Sequence, residues 1–165
     1  MKKNMIRVFC GILVLCSVIL IGACTPAENS EPLYVFTYNG TTIAVDGSAA
    51  DVLVALGTWK QYSESPSCLF DGLDKIYGYS GFRIQTYPKD GSEYIYSVEL
   101  LDDSVATSKG ITIGSTRDAV IAAYGEGGRD TGSAIIYTDE AYGTELMISI
   151  RNDTVINIQY KKQTN

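Results

Sequence analysis

The sequence predicts an α+β fold built from two tandem repeats, residues 33–103 and 104–165. Each repeat is a short helix followed by an antiparallel meander, and the helices pack on one face of a curved sheet. Two segments match without a gap at an offset of 68 residues, which indicates an internal repeat. Several short runs alternate apolar and polar residues, as in strands with one buried face. Both helical segments are too short to be stable alone, so each must lie on an apolar surface.

The matching segments are residues 43–57 (IAVDGSAADVLVALG) and 111–125 (ITIGSTRDAVIAAYG). In each of them the apolar spacing predicts a short strand, a turn and a helix of about two turns. Gly57 and Gly125 occupy equivalent positions and are expected to end the two helices, because glycine readily adopts the left-handed conformation found after a helix C-terminus.

Strands are expected after each helix. Two runs in each repeat alternate with period two and are joined by a turn signal, Asp90-Gly91 in the first repeat and Asn152-Asp153 in the second. The side chains expected on the buried face are Phe82, Ile84, Thr86, Tyr94, Tyr96, Val98 and Leu100 in the first repeat and Leu146, Ile148, Ile150, Ile156, Ile158 and Tyr160 in the second.

Composition excludes several classes of function. The chain has 165 residues and a formal net charge of −6, and residues 24–165 carry ten basic side chains against nineteen acidic ones. This balance argues against nucleic acid as a partner, because phosphate binding needs a basic patch. The sequence contains no histidine, which removes the Ser-His-Asp and Cys-His nucleophile systems and the usual zinc ligand. We therefore expect no enzyme, no metal and no cofactor.

The N-terminus has the pattern of an export signal. The first seven residues carry three bases and no acid, and residues 8–21 form an apolar run that is too short to span a membrane. The run ends in Ile21-Gly22-Ala23-Cys24, which resembles the bacterial lipobox. The resemblance implies that a signal peptide, residues 1–23, is removed and that Cys24 is lipidated through a thioether. The alternative is an ordinary secretory peptide in which Cys24 is incidental.

Lipidation would place the protein on the extracytoplasmic face of the cell membrane, held through the lipid on Cys24. Residues 24–32 are polar and contain proline, which predicts a flexible tether. Cys68 is then the only other cysteine in the mature chain, so no internal disulfide is expected.

The run 111–125, followed by strands that end in Val155-Ile-Asn-Ile-Gln-Tyr160, resembles the tandem-repeat fold of the β-lactamase inhibitor protein. It also resembles the small outer-membrane-assembly lipoproteins, which have one such unit. Residues 67–75 (SCLFDGLDK) are similar to a segment of lipoproteins from Gram-positive anaerobes. These resemblances imply the fold and an extracytoplasmic location, and they supply no activity and no contact residues.

The candidate ligand-binding residues all lie in the first repeat, which is eight residues longer than the second from the end of its helix to the end of its last strand. The excess falls within the segment 59–76, between the helix and the first strand, and this segment holds the only tryptophan. Aromatic residues are favoured anchors at interfaces, and loops that interrupt a repeat often carry function. The predicted binding surface combines Trp59, Tyr62, Tyr77 and Tyr79 with a polar sheet face that bears Arg83, Gln85, Tyr87, Ile95, Ser97 and Glu99. Core packing is the alternative for any one of the aromatic residues.

Other candidate residues have structural interpretations. Cys68 is expected to be buried beside Leu69 and Phe70, since its acidic surroundings do not favour a reactive thiolate. Asp71 and Asp74 are expected in turn and cap roles, because Asp-x-x-Asp alone is not a calcium loop. The adjacent acids Asp102-Asp103 and Asp139-Glu140 would point to opposite sides of a strand, unlike a glycosidase pair.

The function predicted from the sequence is a lipid-anchored extracytoplasmic binding or scaffolding module for an envelope or extracellular protein. A module that binds cell-wall glycan is the first alternative. A hydrolase that uses Asp71 or Asp74 and a spacer without a specific ligand are the others.

Overall fold

The computed structural model describes residues 31–163, which lie within one compact unit. The predicted signal peptide, Cys24 and residues 24–30 of the predicted tether lie outside the described residues.

The described residues form short strands and two short helices. In chain order they are β1 (Phe36–Tyr38), β2 (Thr41–Ile43), α1 (Ala49–Leu56), β3 (Gln61–Pro66), β4 (Leu73–Gly78), β5 (Phe82–Lys89), β6 (Ser92–Leu100), α2 (Arg117–Tyr124), β7 (Arg129–Asp130), β8 (Ala134–Asp139), β9 (Thr144–Arg151) and β10 (Thr154–Lys162).

Strands β3 to β10 form one continuous antiparallel sheet of eight strands in the order β3-β4-β5-β6-β10-β9-β8-β7. The middle of the sheet is the pairing of β6 with β10, in which Val98 lies opposite Tyr160 and Leu100 opposite Ile158. Strands β1 and β2 form a separate hairpin.

The predicted fold class is therefore wrong. The described part of the chain is mostly β, with 47% of its residues in strands and 12% in helices, and its large sheet is not divided into two helix-plus-meander repeats. Period-two alternation identified strands but gave no information on which strand edges pair. The backbone hydrogen bonds between β6 and β10, whose paired residues lie about sixty positions apart, join all the strands after α1 into a single sheet.

The local signals were more informative. Asp90-Gly91 joins β5 to β6 and Asn152-Asp153 joins β9 to β10, and all four residues have positive φ angles, as the turn signals predicted. Gly57 and Gly125 follow the last residues of α1 and α2, and their amides bond to carbonyls of the helices that they end.

The core covers one side of the sheet and the inner sides of both helices. Ala49 of α1 and Val120 of α2 are fully buried against it.

Two irregularities in strand pairing change which side chains are buried. A register shift between Val155 and Asn157 buries Val155 and leaves Ile156 exposed, and a shift opposite Gln85 and Thr86 buries Ile95. The expectations that Ile156 faces inward and that Ile95 faces outward are wrong, because a bulge reverses the alternation beyond it.

Between residues 31 and 163, no helix has the length and apolar character needed to cross a bilayer.

Candidate functional site

The clearest candidate surface is a group of three aromatic rings, Trp59, Tyr62 and Tyr77, which we call the aromatic edge cluster. Tyr62 on β3 lies opposite Tyr77 on β4, so the strand register sets their rings side by side with centroids 5.3 Å apart. The Trp59 ring packs on the Tyr77 ring edge-to-face at 5.1 Å and lies 5.9 Å from that of Tyr62. Tyr77 is buried, whereas Trp59 and Tyr62 remain 41% and 45% exposed.

The apolar surface continues from the aromatic edge cluster to the end of α1. Leu53, Val54, Gly57, Thr58 and Trp59 line a shallow depression there. Val54 is 83% exposed although it is apolar. An exposed apolar patch of this kind, next to solvent-facing aromatic rings, is a feature of interaction sites.

The cluster borders an open strand edge. β3 is the first strand of the sheet, all six of its residues are exposed, and among the described residues it pairs only with β4. Its outer backbone amides and carbonyls are therefore available to another chain. β7 forms the opposite edge but is only two residues long.

A network of charges supports the cluster from β4 and β6. The Lys75 ammonium lies 2.7 Å from the Glu93 carboxylate, which also accepts a 2.6 Å hydrogen bond from the Thr86 hydroxyl. Burial raises the pKa of Glu93, but hydrogen bonds from Lys75, Thr86 and Tyr77 outweigh this and hold the pKa below its ordinary value. Burial, followed by the contact with Glu93, raises the pKa of Tyr77, so its hydroxyl remains protonated.

Two predicted site residues lie apart from the cluster. The Tyr79 ring stacks on that of Phe82 at 5.1 Å, which makes it part of the core boundary. Arg83 is exposed on the sheet, where its Nε donates a 2.6 Å hydrogen bond to Glu99. Glu99 also accepts a 2.6 Å hydrogen bond from the Asn157 side chain, so the polar face around Arg83 is internally paired.

Tyr87 is buried rather than exposed. Its hydroxyl donates to Asp46 and accepts a 3.3 Å hydrogen bond from Lys162, whose ammonium lies 2.9 Å from the same carboxylate. Ser97 and Ile95 are buried as well, so these three residues of the predicted polar surface do not face solvent.

A second candidate site is a cavity of about 140 Å³ beneath residues 67–70. Phe70, Asp74, Gln85, Tyr87 and Tyr96 line it, together with residues 67–69. We call it the Asp74 cavity. The Phe70 and Tyr87 rings lie 4.7 Å apart, and the Tyr96 ring stands at 81° to Tyr87 at 6.2 Å. Sequence reasoning missed Phe70 and Tyr96 as site residues, although Phe70 lies in the segment SCLFDGLDK, for which a resemblance to other lipoproteins was noted.

Several expectations for this region are wrong. Cys68 is exposed, because residues 67–70 lie over the cavity as a surface loop and do not enter the core. Asp74 lies within β4 and not in a turn, and one of its carboxylate oxygens is buried without a hydrogen-bond partner among the described residues. Asp71 is exposed and does not line the cavity, so the two carboxylates do not converge.

The remaining acidic pairs have structural roles. Asp139 is buried and accepts hydrogen bonds from the backbone amides of Leu33 and Ala141, while Glu140 faces solvent. Asp102 accepts hydrogen bonds from Ser104 in a turn. Within the described part of the chain, no group of three or more acidic or cysteine side chains is placed to hold a metal ion.

Comparisons of this chain with protein-family models, curated proteins and solved structures find no match.

Proposed function

We propose that this chain is a lipid-anchored extracytoplasmic binding module, and that it binds a protein partner through the aromatic edge cluster and the adjoining edge of β3. The exposed rings of Trp59 and Tyr62 are the observation that carries the proposal. They are held in place by the buried Tyr77 ring, so their exposure is a fixed feature of the sheet edge.

The energetics favour a contact at this place. Tryptophan and tyrosine are the residues most enriched among those that dominate binding energy, because their rigid rings remove a large area from water at little entropic cost. The open edge of β3 adds backbone hydrogen-bonding groups that a partner segment can pair with as an extra strand. The aromatic rings would therefore supply most of the binding energy, and the edge of β3 would align the partner segment through backbone hydrogen bonds.

The anchoring part of the proposal rests on Ile21-Gly22-Ala23-Cys24. More than one acyl chain on a protein gives stable membrane attachment, since each buried CH₂ contributes about 0.8 kcal/mol. A membrane-proximal module does not need high solution affinity, because anchoring raises the local concentration of the module near envelope partners. Replacing Cys24 with serine should release the chain from the membrane fraction. An unmodified and uncleaved amino terminus in the wild-type chain, found by mass spectrometry, would contradict anchoring.

Site-specific photo-crosslinking in intact cells tests the binding surface. The full chain would carry a photoreactive phenylalanine analogue in place of Tyr62, with the same analogue in place of Tyr142 as the matched control. Tyr142 is also a partly exposed tyrosine, but it lies between β8 and β9. We expect ultraviolet light to join one discrete protein to the chain from position 62 and not from position 142.

A second change measures the contribution of the neighbouring ring. Trp59→Ala should lower the yield of the adduct at position 62 by at least about tenfold, because loss of a residue that dominates an interface costs about 2 kcal/mol of binding free energy or more. Equal adducts from both positions, or an adduct unaffected by Trp59→Ala, would refute the proposal. Binding of soluble peptidoglycan fragments that depends on Trp59 would also refute it, since the ligand would then be a glycan.

A further inference from the structure

We propose that the Asp74 cavity binds a small organic cation, namely the quaternary or alkylated ammonium group of a ligand. This site is independent of the aromatic edge cluster, since the two share no residue. Three features carry the inference: the arrangement of the aromatic rings, the unpaired carboxylate oxygen and the absence of a basic side chain among the residues that line the cavity.

The rings form two walls at a steep angle. Phe70 and Tyr87 lie 4.7 Å apart with planes inclined by 36°, while Tyr96 stands at 81° to Tyr87. The face of an aromatic ring carries partial negative charge, so rings that meet at an angle attract a cation placed between them. Methylated ammonium groups suit such walls because their charge is spread over an apolar surface and they give up water readily.

Asp74 supplies the charge that pairs with the ligand. One of its oxygens is buried and accepts no hydrogen bond among residues 31–163. An unpaired polar atom in a buried position is unfavourable, and a cation in the cavity would offset it. Lys75, the next residue along β4, is already engaged by Glu93 at 2.7 Å.

The surroundings favour a cation over an anion. None of the lysines and arginines between residues 31 and 163 lines the cavity. Lys162 lies over the Tyr87 ring at 5.3 Å, but its charge is paired with Asp46 at 2.9 Å. The chain as a whole carries a net charge of −6, which raises the local concentration of cations.

The size of the cavity limits the ligand. A volume of about 140 Å³ is close to that of a protein cavity that holds one benzene molecule. The cavity therefore accommodates one methylated ammonium group, and any longer part of the ligand must extend past Phe70 and Leu69, which are exposed. A metal ion fits less well, because the described residues offer no set of three metal-ligating side chains and the cavity walls are largely aromatic.

Calorimetric titration of the purified full chain with choline tests the proposal. The control ligand is 3,3-dimethylbutan-1-ol, which has the shape of choline without its charge. We expect choline to bind at least about tenfold more tightly than the alcohol, since charge–ring attraction and pairing with Asp74 are available only to the cation. Equal affinities, or no detectable binding of choline, would overturn the proposal.

Two variants locate the site. Asp74→Asn should weaken choline binding about tenfold, whereas the matched control Asp71→Asn, in the same segment but outside the cavity, should leave it unchanged. Phe70→Leu should also weaken choline binding. Because Phe70 is partly exposed, we expect this variant to fold even if Asp74→Asn does not. Circular dichroism confirms that each variant is folded. Unchanged affinity in a folded Asp74→Asn or Phe70→Leu variant would overturn the proposal.

The same ammonium group could belong to a free solute or to a lipid headgroup. Competition with phosphatidylcholine vesicles distinguishes these sources. Displacement of choline by the vesicles indicates a headgroup, and displacement by soluble glycine betaine but not by the vesicles indicates a solute. Displacement by neither would overturn the assignment of the cavity to methylated ammonium groups.

Discussion

Glu93 is the charged residue whose removal should have the clearest effect on stability. It accepts hydrogen bonds from Lys75 and Thr86, and it holds these groups beside the buried Tyr77. Glu93→Gln keeps the shape of the side chain and one acceptor oxygen but removes the charge. The change therefore tests the electrostatic contribution of the network with little effect on packing.

The size of the stability loss in Glu93→Gln depends on how exposed the Lys75–Glu93 pair is. A hydrogen bond to a charged group contributes about 1.5–3 kcal/mol, whereas an exposed ion pair contributes about 0–1 kcal/mol. The side chains of Lys75 and Glu93 are 29% and 22% exposed, which places the pair between these limits. We expect Glu93→Gln to lower the free energy of unfolding by about 1.5 kcal/mol at pH 7. For a domain of this size the midpoint of thermal unfolding should fall by about 5 °C.

The effect should depend on pH in a definite direction. The pKa of Glu93 is lower in the folded protein than its ordinary value of 4.5. The unfolded chain therefore binds the proton first, so the stabilisation by Glu93 is complete above pH 4.5 and is lost as the pH falls through the folded-state pKa. At pH 2 the wild type and Glu93→Gln should differ by less than about 0.5 kcal/mol.

Urea unfolding followed by circular dichroism at pH 7 and pH 2 measures both quantities. Glu140→Gln is the matched control, because Glu140 is an exposed glutamate in the turn after β8. The control should stay within about 0.5 kcal/mol of the wild type at both pH values. A Glu93→Gln difference that is the same at pH 7 and pH 2 would refute the electrostatic explanation.

Two further pairs of variants test the fold. Ile158→Ala should lower the free energy of unfolding by about 2–5 kcal/mol, because Ile158 is fully buried where β6 pairs with β10. Ile156→Ala on the same strand should lower it by less than about 0.5 kcal/mol, because Ile156 is 41% exposed. Urea unfolding measures both, and similar losses would contradict the bulge in β10. Gly91→Ala should lower the free energy of unfolding by about 1 kcal/mol, since φ is positive but no other atom is near. Gly81→Ala should lower it by about 1–3 kcal/mol more, because its Cβ would collide with Ser104 and lie 3.0 Å from both Asp102 Oδ1 and Val105 Cγ1. Equal losses of thermal stability would show that the turn at Gly81 relaxes freely.

The sequence was informative wherever structure depends on neighbouring residues. Alternation located β9 with the correct buried face and placed Phe82, Ile84 and Thr86 of β5 correctly, although Tyr87 is buried as well. Asp90-Gly91 and Asn152-Asp153 located the hairpin turns. The alternation pattern failed in β10, where a bulge adds one residue and leaves Ile156 exposed. No local sequence signal marks the extra residue.

In the candidate sites, too, some features were predicted from the sequence and others depend on the tertiary structure. Trp59 and Tyr62 were predicted as surface anchors and are exposed, but their contact with Tyr77 depends on the register between β3 and β4. Tyr87 was expected at the surface and is buried, because Asp46 and Lys162 come to it from distant parts of the chain. The lipidation of Cys24 stays a prediction.

By itself, the sequence determined the positions of β5, β6, β9 and β10, the turns that join them in pairs and the glycine-ended helices, because side-chain period and backbone φ preferences act over a few residues. It did not reveal β3 and β4, which lie in the segment that was expected to be a loop. Only the tertiary structure decided that β6 pairs with β10, which makes one sheet of eight strands and leaves β3 at its edge. The physical reason is that alternating strands are similar pairing partners locally, and the choice among them is made by the apolar area buried between residues far apart in the chain. The aromatic edge cluster depends in the same way on the pairing of β3 with β4, and the Asp74 cavity on the alignment of β4, β5 and β6.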